Sequence, residues 1–271
     1  MFIGKKASGK STIQRDIMFH TRDKCHFGMA MSPTVGSVDF FRQCMPASWV
    51  FPSMFSEKIE QVVDKQKKLL HEKRRALNLF FILDDTIYDK KVMNSKAMRE
   101  IMQQARHLKC HMSCTLQSIS TLSHDLRPNI DYVFCTSETN LATRKQLHRA
   151  FFGIIDKFED FNKVFEATTQ KYACIVLDNT SMSKNVNDCI FWYRAKHDIP
   201  TFVMGDKVFH NLSLKRELAM SEQVEEEEHQ KPRIEVRQKP AKFRVAILDD
   251  VNDMDIALEG EVRPPPISVP T

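Results

Sequence analysis

Short apolar runs recur along the chain, separated by longer polar stretches with helical spacing. The runs are His26–Met31, Leu79–Asp84, Cys110–Leu116, Tyr132–Cys135 and Tyr172–Asp178. They are nearly continuous and do not alternate, which is how strands covered on both faces read. The intervening segments predict helices at Lys10–His20, Glu57–Leu77 and Ser95–His107. The last of these carries Met98, Ile101, Met102 and Ala105 at spacings of three and four. Strand and helix alternate, which predicts a three-layer α/β domain with a mostly parallel sheet.

The pattern stops at about residue 220. Gln223–Gln230 is strongly acidic, and six of the eleven prolines lie beyond residue 230. Residues 1–220 read as the folded domain. Residues 221–271 read as an acidic, proline-containing disordered tail with one short strand at Phe243–Leu248. Charge divides at the same place. Residues 221–271 hold 12 Asp/Glu and 7 Lys/Arg, leaving 23 and 33 in residues 1–220. A basic body points to a polyanionic partner. Its most basic stretch, Lys65–Arg75, reads first as a solvated helix face and second as a surface for a nucleic-acid backbone. The seven cysteines are scattered, mostly in apolar runs, and read as reduced, buried thiols of an intracellular protein. No apolar stretch approaches 18 residues, so no membrane span is expected. Met1 leads straight into the first motif, so no signal peptide is expected.

That motif is Gly4-Lys5-Lys6-Ala7-Ser8-Gly9-Lys10-Ser11, a full match to the Walker A pattern G-x-x-x-x-G-K-[ST]. Gly4 and Gly9 allow backbone angles and a close approach that a Cβ would forbid. Successive backbone N–H groups then point inward around a phosphate. The loop opens a helix, whose first N–H groups lack intrahelical partners and favour an anion. The ammonium of Lys10 can reach the β- and γ-phosphates, and the hydroxyl of Ser11 can coordinate Mg²⁺. The span from Gly4 through Thr12 is therefore expected to hold ATP. A strand normally leads into such a loop, yet only Met1, Phe2 and Ile3 precede it. Either the first strand is very short or the chain begins upstream, and the second is the favoured expectation.

Hydrolysis needs an acidic partner. Leu79-Phe80-Phe81-Ile82-Leu83-Asp84-Asp85 is an apolar strand ending in two carboxylates, a Walker B pattern. Asp84 falls at the carboxyl edge of the sheet, where ligands of open α/β sheets sit, and can hold Mg²⁺. Asp85 can polarise the attacking water. Gln117, at the end of the strand Cys110–Leu116, can bridge the γ-phosphate and that water.

These elements together resemble the genome-packaging ATPases of the nucleocytoplasmic large DNA viruses, the poxvirus-type members of the FtsK/HerA superfamily. The resemblance rests on Gly4–Ser11, on Phe80–Asp85, and on Ala105-Arg106-His107 ten residues before Gln117. Met31-Ser32-Pro33-Thr34 and Arg127-Pro128-Asn129-Ile130-Asp131-Tyr132 add to it, and it covers about residues 1–205. It implies a P-loop fold with an additional strand between the loop strand and the acidic strand. It also implies a homo-oligomeric, ring-shaped motor that drives double-stranded DNA into a capsid with other packaging proteins, at a viral assembly site in the host cell. Gln117 falls on the family's sensor position. Arg106 falls on its Arg-His motif and could reach a neighbouring subunit's γ-phosphate, with Arg127 as the rival for that role.

Two other functions compete. A nucleoside or nucleotide kinase would suit the loop, but no lid with arginines is evident. A non-catalytic, nucleotide-bound assembly protein would not need the Asp84–Asp85 pair or Gln117. His107, Cys110, His111 and Cys114 have spacings that invite zinc, but a strand turns His111 and Cys114 to opposite sides. Phe191-Trp192-Tyr193 is expected in the core.

Overall fold

The computed structural model describes residues 1–72, 76–86, 94–230, 244–247 and 256–259. The chain divides into two compact units, Met1–Ala219 and Met220–Thr271. In the second unit the described strands β9 (Arg244–Ile247) and β10 (Ile256–Glu259) form an antiparallel pair. The acidic run Gln223–Gln230 lies within the helix Lys207–Gln230, the last helix among the described residues.

The first unit is built on one eight-stranded sheet. Its strands are β1 (Phe2–Ile3), β2 (Phe27–Met31), β3 (Val50–Phe51), β4 (Leu79–Leu83), β5 (Cys110–Leu116), β6 (Tyr132–Cys135), β7 (Cys174–Asp178) and β8 (Ile190–Tyr193). Their order across the sheet is β3-β2-β4-β5-β1-β6-β7-β8. All pairings from β3 through β6 are parallel. β5 therefore stands between the loop strand β1 and the acidic strand β4, the additional strand that the resemblance implies.

The pairings β6–β7 and β7–β8 are antiparallel. A single helix carries a chain back to the edge from which a parallel strand can start. Between β6 and β7 there are two helices, α5 (Leu141–Phe151) and α6 (Phe158–Thr168), packed on each other. The chain thus re-enters the sheet at the edge it left, and β7 runs the other way.

Strand β4 shows how one sequence serves both faces. All five residues are buried. Phe81 and Leu83 pack with Ile59, Val63, Met98 and Ile101, from α3 (Ser56–His71) and α4 (Lys96–Gln104). Phe80 and Ile82 pack with Met18, Phe41, Trp49 and Phe202 on the other face, against α1 (Lys10–Thr21) and α2 (Val35–Cys44). Each fully buried side chain of this size contributes about 1.5–3 kcal/mol relative to exposure. In α3, Ile59, Val63 and Gln66 form the inner face, while Lys65 and Lys68 are exposed. The Gln66 amide donates to Leu77 O and Leu108 O at 2.7 and 2.9 Å, tying the helix to the segments entering β4 and β5. The helix ends at His71, earlier than its apolar spacing predicts, and Lys73–Arg75 lie outside the described residues.

β8 corrects one expectation. Among the described residues it is the outermost strand, with no neighbour on one side. Phe191 and Trp192 are exposed, and only Tyr193 turns inward, its hydroxyl donating to the buried Asp16 carboxylate. All seven cysteines are free, six of them buried. Burial pushes the Cys25 and Cys44 thiols up to about 11 and about 12. Among the described residues, no helix is long and apolar enough to cross a membrane.

Gly28 sets the approach of β2 to β4, where it pairs with Phe80. A Cβ at position 28 would sit 2.1 Å from Phe80 O and 2.5 Å from the Phe80 ring. The obstruction is backbone and cannot swing aside. Gly28→Ala is therefore expected to destabilise the domain by about 3 kcal/mol, read as a Tm about 6–12 °C lower in a thermal melt.

Candidate nucleotide site

The loop from Gly4 to Gly9 leaves β1 at the carboxyl edge of the sheet. Gly4 N donates to Leu116 O at 3.1 Å, so the loop starts pinned to β5. It is pinned to β6 as well, because Thr136 N donates to Ile3 O at 2.9 Å and Thr136 Oγ1 lies 2.6 Å from Ser8 Oγ. A Cβ on Gly4 would lie 1.9 Å from Thr136 Oγ1. Gly4 is needed for that close approach. Ala7 (φ 59°) and Gly9 (φ 91°) adopt left-handed backbone, which closes the loop over the start of α1. Gly9 caps α1 without a side-chain bond, so the first helical N–H groups remain available to an anion.

Lys10 is buried beneath the loop. Its ammonium donates to Gly4 O and Lys5 O at 2.8 and 2.9 Å. Burial holds its pKa below the ordinary lysine range, while the Asp85 and Asp84 carboxylates pull it back up. Lys5, Lys6 and Ala7 are exposed, and Ser11 and Thr12 are half-buried.

Asp84 is only 1% exposed, yet its carboxylate is well served. Oδ1 accepts from Ser11 Oγ and from Thr115 Oγ1, both at 3.0 Å, and Oδ2 accepts from Ser37 Oγ at 2.7 Å. Three hydroxyls from α1, β5 and α2 thus converge on one side chain. Asp85 N donates to Thr115 Oγ1 at 2.8 Å, which holds Asp85 at φ 51°. Gln117 Nε2 lies 3.5 Å from Asp85 Oδ1. Lys10, Ser11, Asp84, Asp85 and Gln117 are therefore gathered at one edge. Arg106 is not among them. It precedes β5 at the opposite edge of the sheet and pairs with Asp131. Arg127, half-buried in the β5–β6 connection, has a guanidinium NH 3.4 Å from Leu122 O.

A cavity of about 420 Å³ opens over the loop, lined by Lys6 through Ile13, Asp85, Tyr172, Ala195 and His197. Ser11 and Asp84 offer oxygen donors only, the chemistry that Mg²⁺ prefers, and leave its remaining positions to phosphate oxygens and water. The residues present therefore fit that ion. Sequence reasoning missed Ser37, Thr115 and Thr136. Thr115 shares a face of β5 with Gln117, and Thr136 directly follows β6 at the same edge, so each carried a positional signal. Ser37 carried none.

A glycine-pinned loop opening a helix, an acidic strand two places away and a strand between them define a P-loop NTPase of the additional-strand type. No family model matches the chain. Protein 088R of Invertebrate iridescent virus 3, itself uncharacterized, is 30% identical over 193 residues, covering 71% of this chain and 74% of that protein. Protein L437 of Acanthamoeba polyphaga mimivirus, also uncharacterized, is 27% identical over 228 residues, 79% and 78% of the two chains. The chain belongs to this family of proteins of nucleocytoplasmic large DNA viruses. Among solved structures, the genome packaging NTPase B204 of Sulfolobus turreted icosahedral virus 2, determined with ATP-γ-S, shares the fold. Its TM-score is 0.50 at 15% identity, covering 72% of this chain and 95% of that one.

Gly4→Ala is expected to raise the Kd for Mg-ATP about tenfold, the penalty of overpacking against a fixed neighbour. Adding Thr136→Ala removes the obstructing oxygen and should recover part of that loss in an equilibrium titration.

Proposed function

We propose that this protein hydrolyses ATP and uses the cycle to move double-stranded viral DNA into a capsid, acting as a homo-oligomeric ring at a viral assembly site in the host cell. The observation that carries the reading is the bond from Ser11 to Asp84, flanked by Asp85 and Gln117. It joins a phosphate-holding loop to an acidic, water-handling edge. Similarity of fold to a viral packaging NTPase and kinship with proteins of large DNA viruses support it, as does the basic balance of residues 1–220.

In this reading the loop N–H groups and the α1 N-terminus hold the β-phosphate. Lys10 exchanges the carbonyls of Gly4 and Lys5 for β- and γ-phosphate oxygens. Mg²⁺, held by Ser11 and Asp84, would neutralise charge on those oxygens. Asp85 takes up the proton of the attacking water, and Gln117 orients that water from the neighbouring strand end. Three hydroxyl donors fix Asp84 and leave one of a carboxylate's roughly four lone-pair positions for the ion, which suits it to metal holding and leaves Asp85 for proton transfer. Arg106 stands at the far edge, so any γ-phosphate it serves is on the next subunit of a ring, and its pair with Asp131 has to open first.

Steady-state ATP turnover with and without linear duplex DNA tests the reading. Turnover is expected to rise with DNA. Lys10→Ala should abolish it. Asp85→Asn should keep ATP binding and lose about 10²–10⁴-fold in kcat, the range for a displaced general base. Phosphoryl transfer to a nucleoside instead of water would replace the motor with a kinase.

A further inference from the structure

The sheet order separates the two ends of the nucleotide cavity. Asp84 and Asp85 lie on the β4 side of the loop strand, and Tyr172, Ala195 and His197 lie on the β7–β8 side. β7 runs antiparallel to β6, so its first residues return to the loop's edge and deliver Tyr172 there. β8 runs antiparallel to β7, so its last residues reach the same edge and deliver Ala195 and His197. Two strand spacings, about 10 Å, separate β1 from β7. The charged end of a triphosphate belongs to the loop and the carboxylates. The opposite wall offers an aromatic ring, a small apolar side chain and an imidazole.

Tyr172 is held there at a conformational cost. It is 61% exposed, so no burial in the core accounts for its position. Lys171 and Tyr172 both adopt left-handed backbone, at φ 52° and 62°. The two are the central residues of a tight turn closed by Ala173 N donating to Gln170 O at 3.0 Å, a place usually taken by glycine or asparagine and here given to an aromatic residue. The ring lies against Gly9, where a Cβ would come within 3.4 Å of ring carbon Cδ1. The missing side chain at position 9 thus serves the loop and also lets the ring sit flush with the start of α1.

We propose that Tyr172 is the platform on which the base of the bound nucleotide stacks, with Ala195 and His197 completing the same wall of the cavity. The proposal rests on the reading of this cavity as the triphosphate site and adds the group that recognises the nucleoside. A planar base gains most from an aromatic face presented in a half-open cleft, and stacking needs no hydrogen-bond partner.

The test compares two probes by equilibrium titration with Mg²⁺ present: ATP and inorganic tripolyphosphate. Tyr172→Ala is expected to weaken ATP between about fivefold and a hundredfold while leaving tripolyphosphate within about twofold. Tyr172→Phe keeps the ring and should bind ATP within about threefold of the wild type. Unchanged ATP affinity in Tyr172→Ala would overturn the proposal. So would equal loss of both probes, which would make Tyr172 a support for Gly9. A wild-type protein that binds neither probe would instead overturn the triphosphate reading, and the proposal with it.

Discussion

The domain turns on a buried carboxylate. Asp84 sits inside the protein, where an ion without partners costs several kcal/mol. Hydroxyls from Ser11, Ser37 and Thr115 answer that cost. Hydrogen bonds to an ionised acceptor are roughly twice as strong as neutral ones, so the three bonds fix α1, α2 and β5 relative to β4. Those four elements carry the loop, the acidic pair and the strand leading to Gln117. One side chain therefore sets the distances among most of the groups gathered in the site, and the fold and the site share a single keystone.

Around it, backbone strain is spent on aim. Ala7 and Asp85 occupy left-handed backbone, which costs roughly 1–3 kcal/mol for a non-glycine residue and somewhat less for an aspartate. Each is over-determined by its neighbours. The loop holding Ala7 is closed by Ser8 on Thr136, and Asp85 is held by Thr115. Thr115 thus addresses both aspartates, accepting from the backbone N–H of Asp85 while donating to the carboxylate of Asp84.

Much of this architecture was legible because burial on two faces leaves a plain mark. Cys110–Leu116 and Tyr132–Cys135 read as strands with the bounds they have. What was not legible has physical causes. β3 is two residues in a Pro- and Phe-rich stretch, too short for any period to register. β8 is aromatic and looked like core, but an edge strand leaves its side chains uncovered. The reversal of β7 depends on the helices before it, which a strand's own residues do not encode. At the site, the loop and the carboxylates have distinctive types at fixed spacings. The hydroxyls of Ser37, Thr115 and Thr136 belong to common residues whose meaning arises only where the folded chain brings them together.

The sideways anchorage of the loop has a mechanical consequence. The loop's anchorage passes sideways, through Leu116 into β5 and through Thr136 into β6. Stress placed on the end of β5, where Gln117 stands, is thereby shared with the phosphate loop across a single backbone bond. The loop resembles a short bridge whose deck is carried by its two abutments, so a shift in either abutment becomes a change in its curvature.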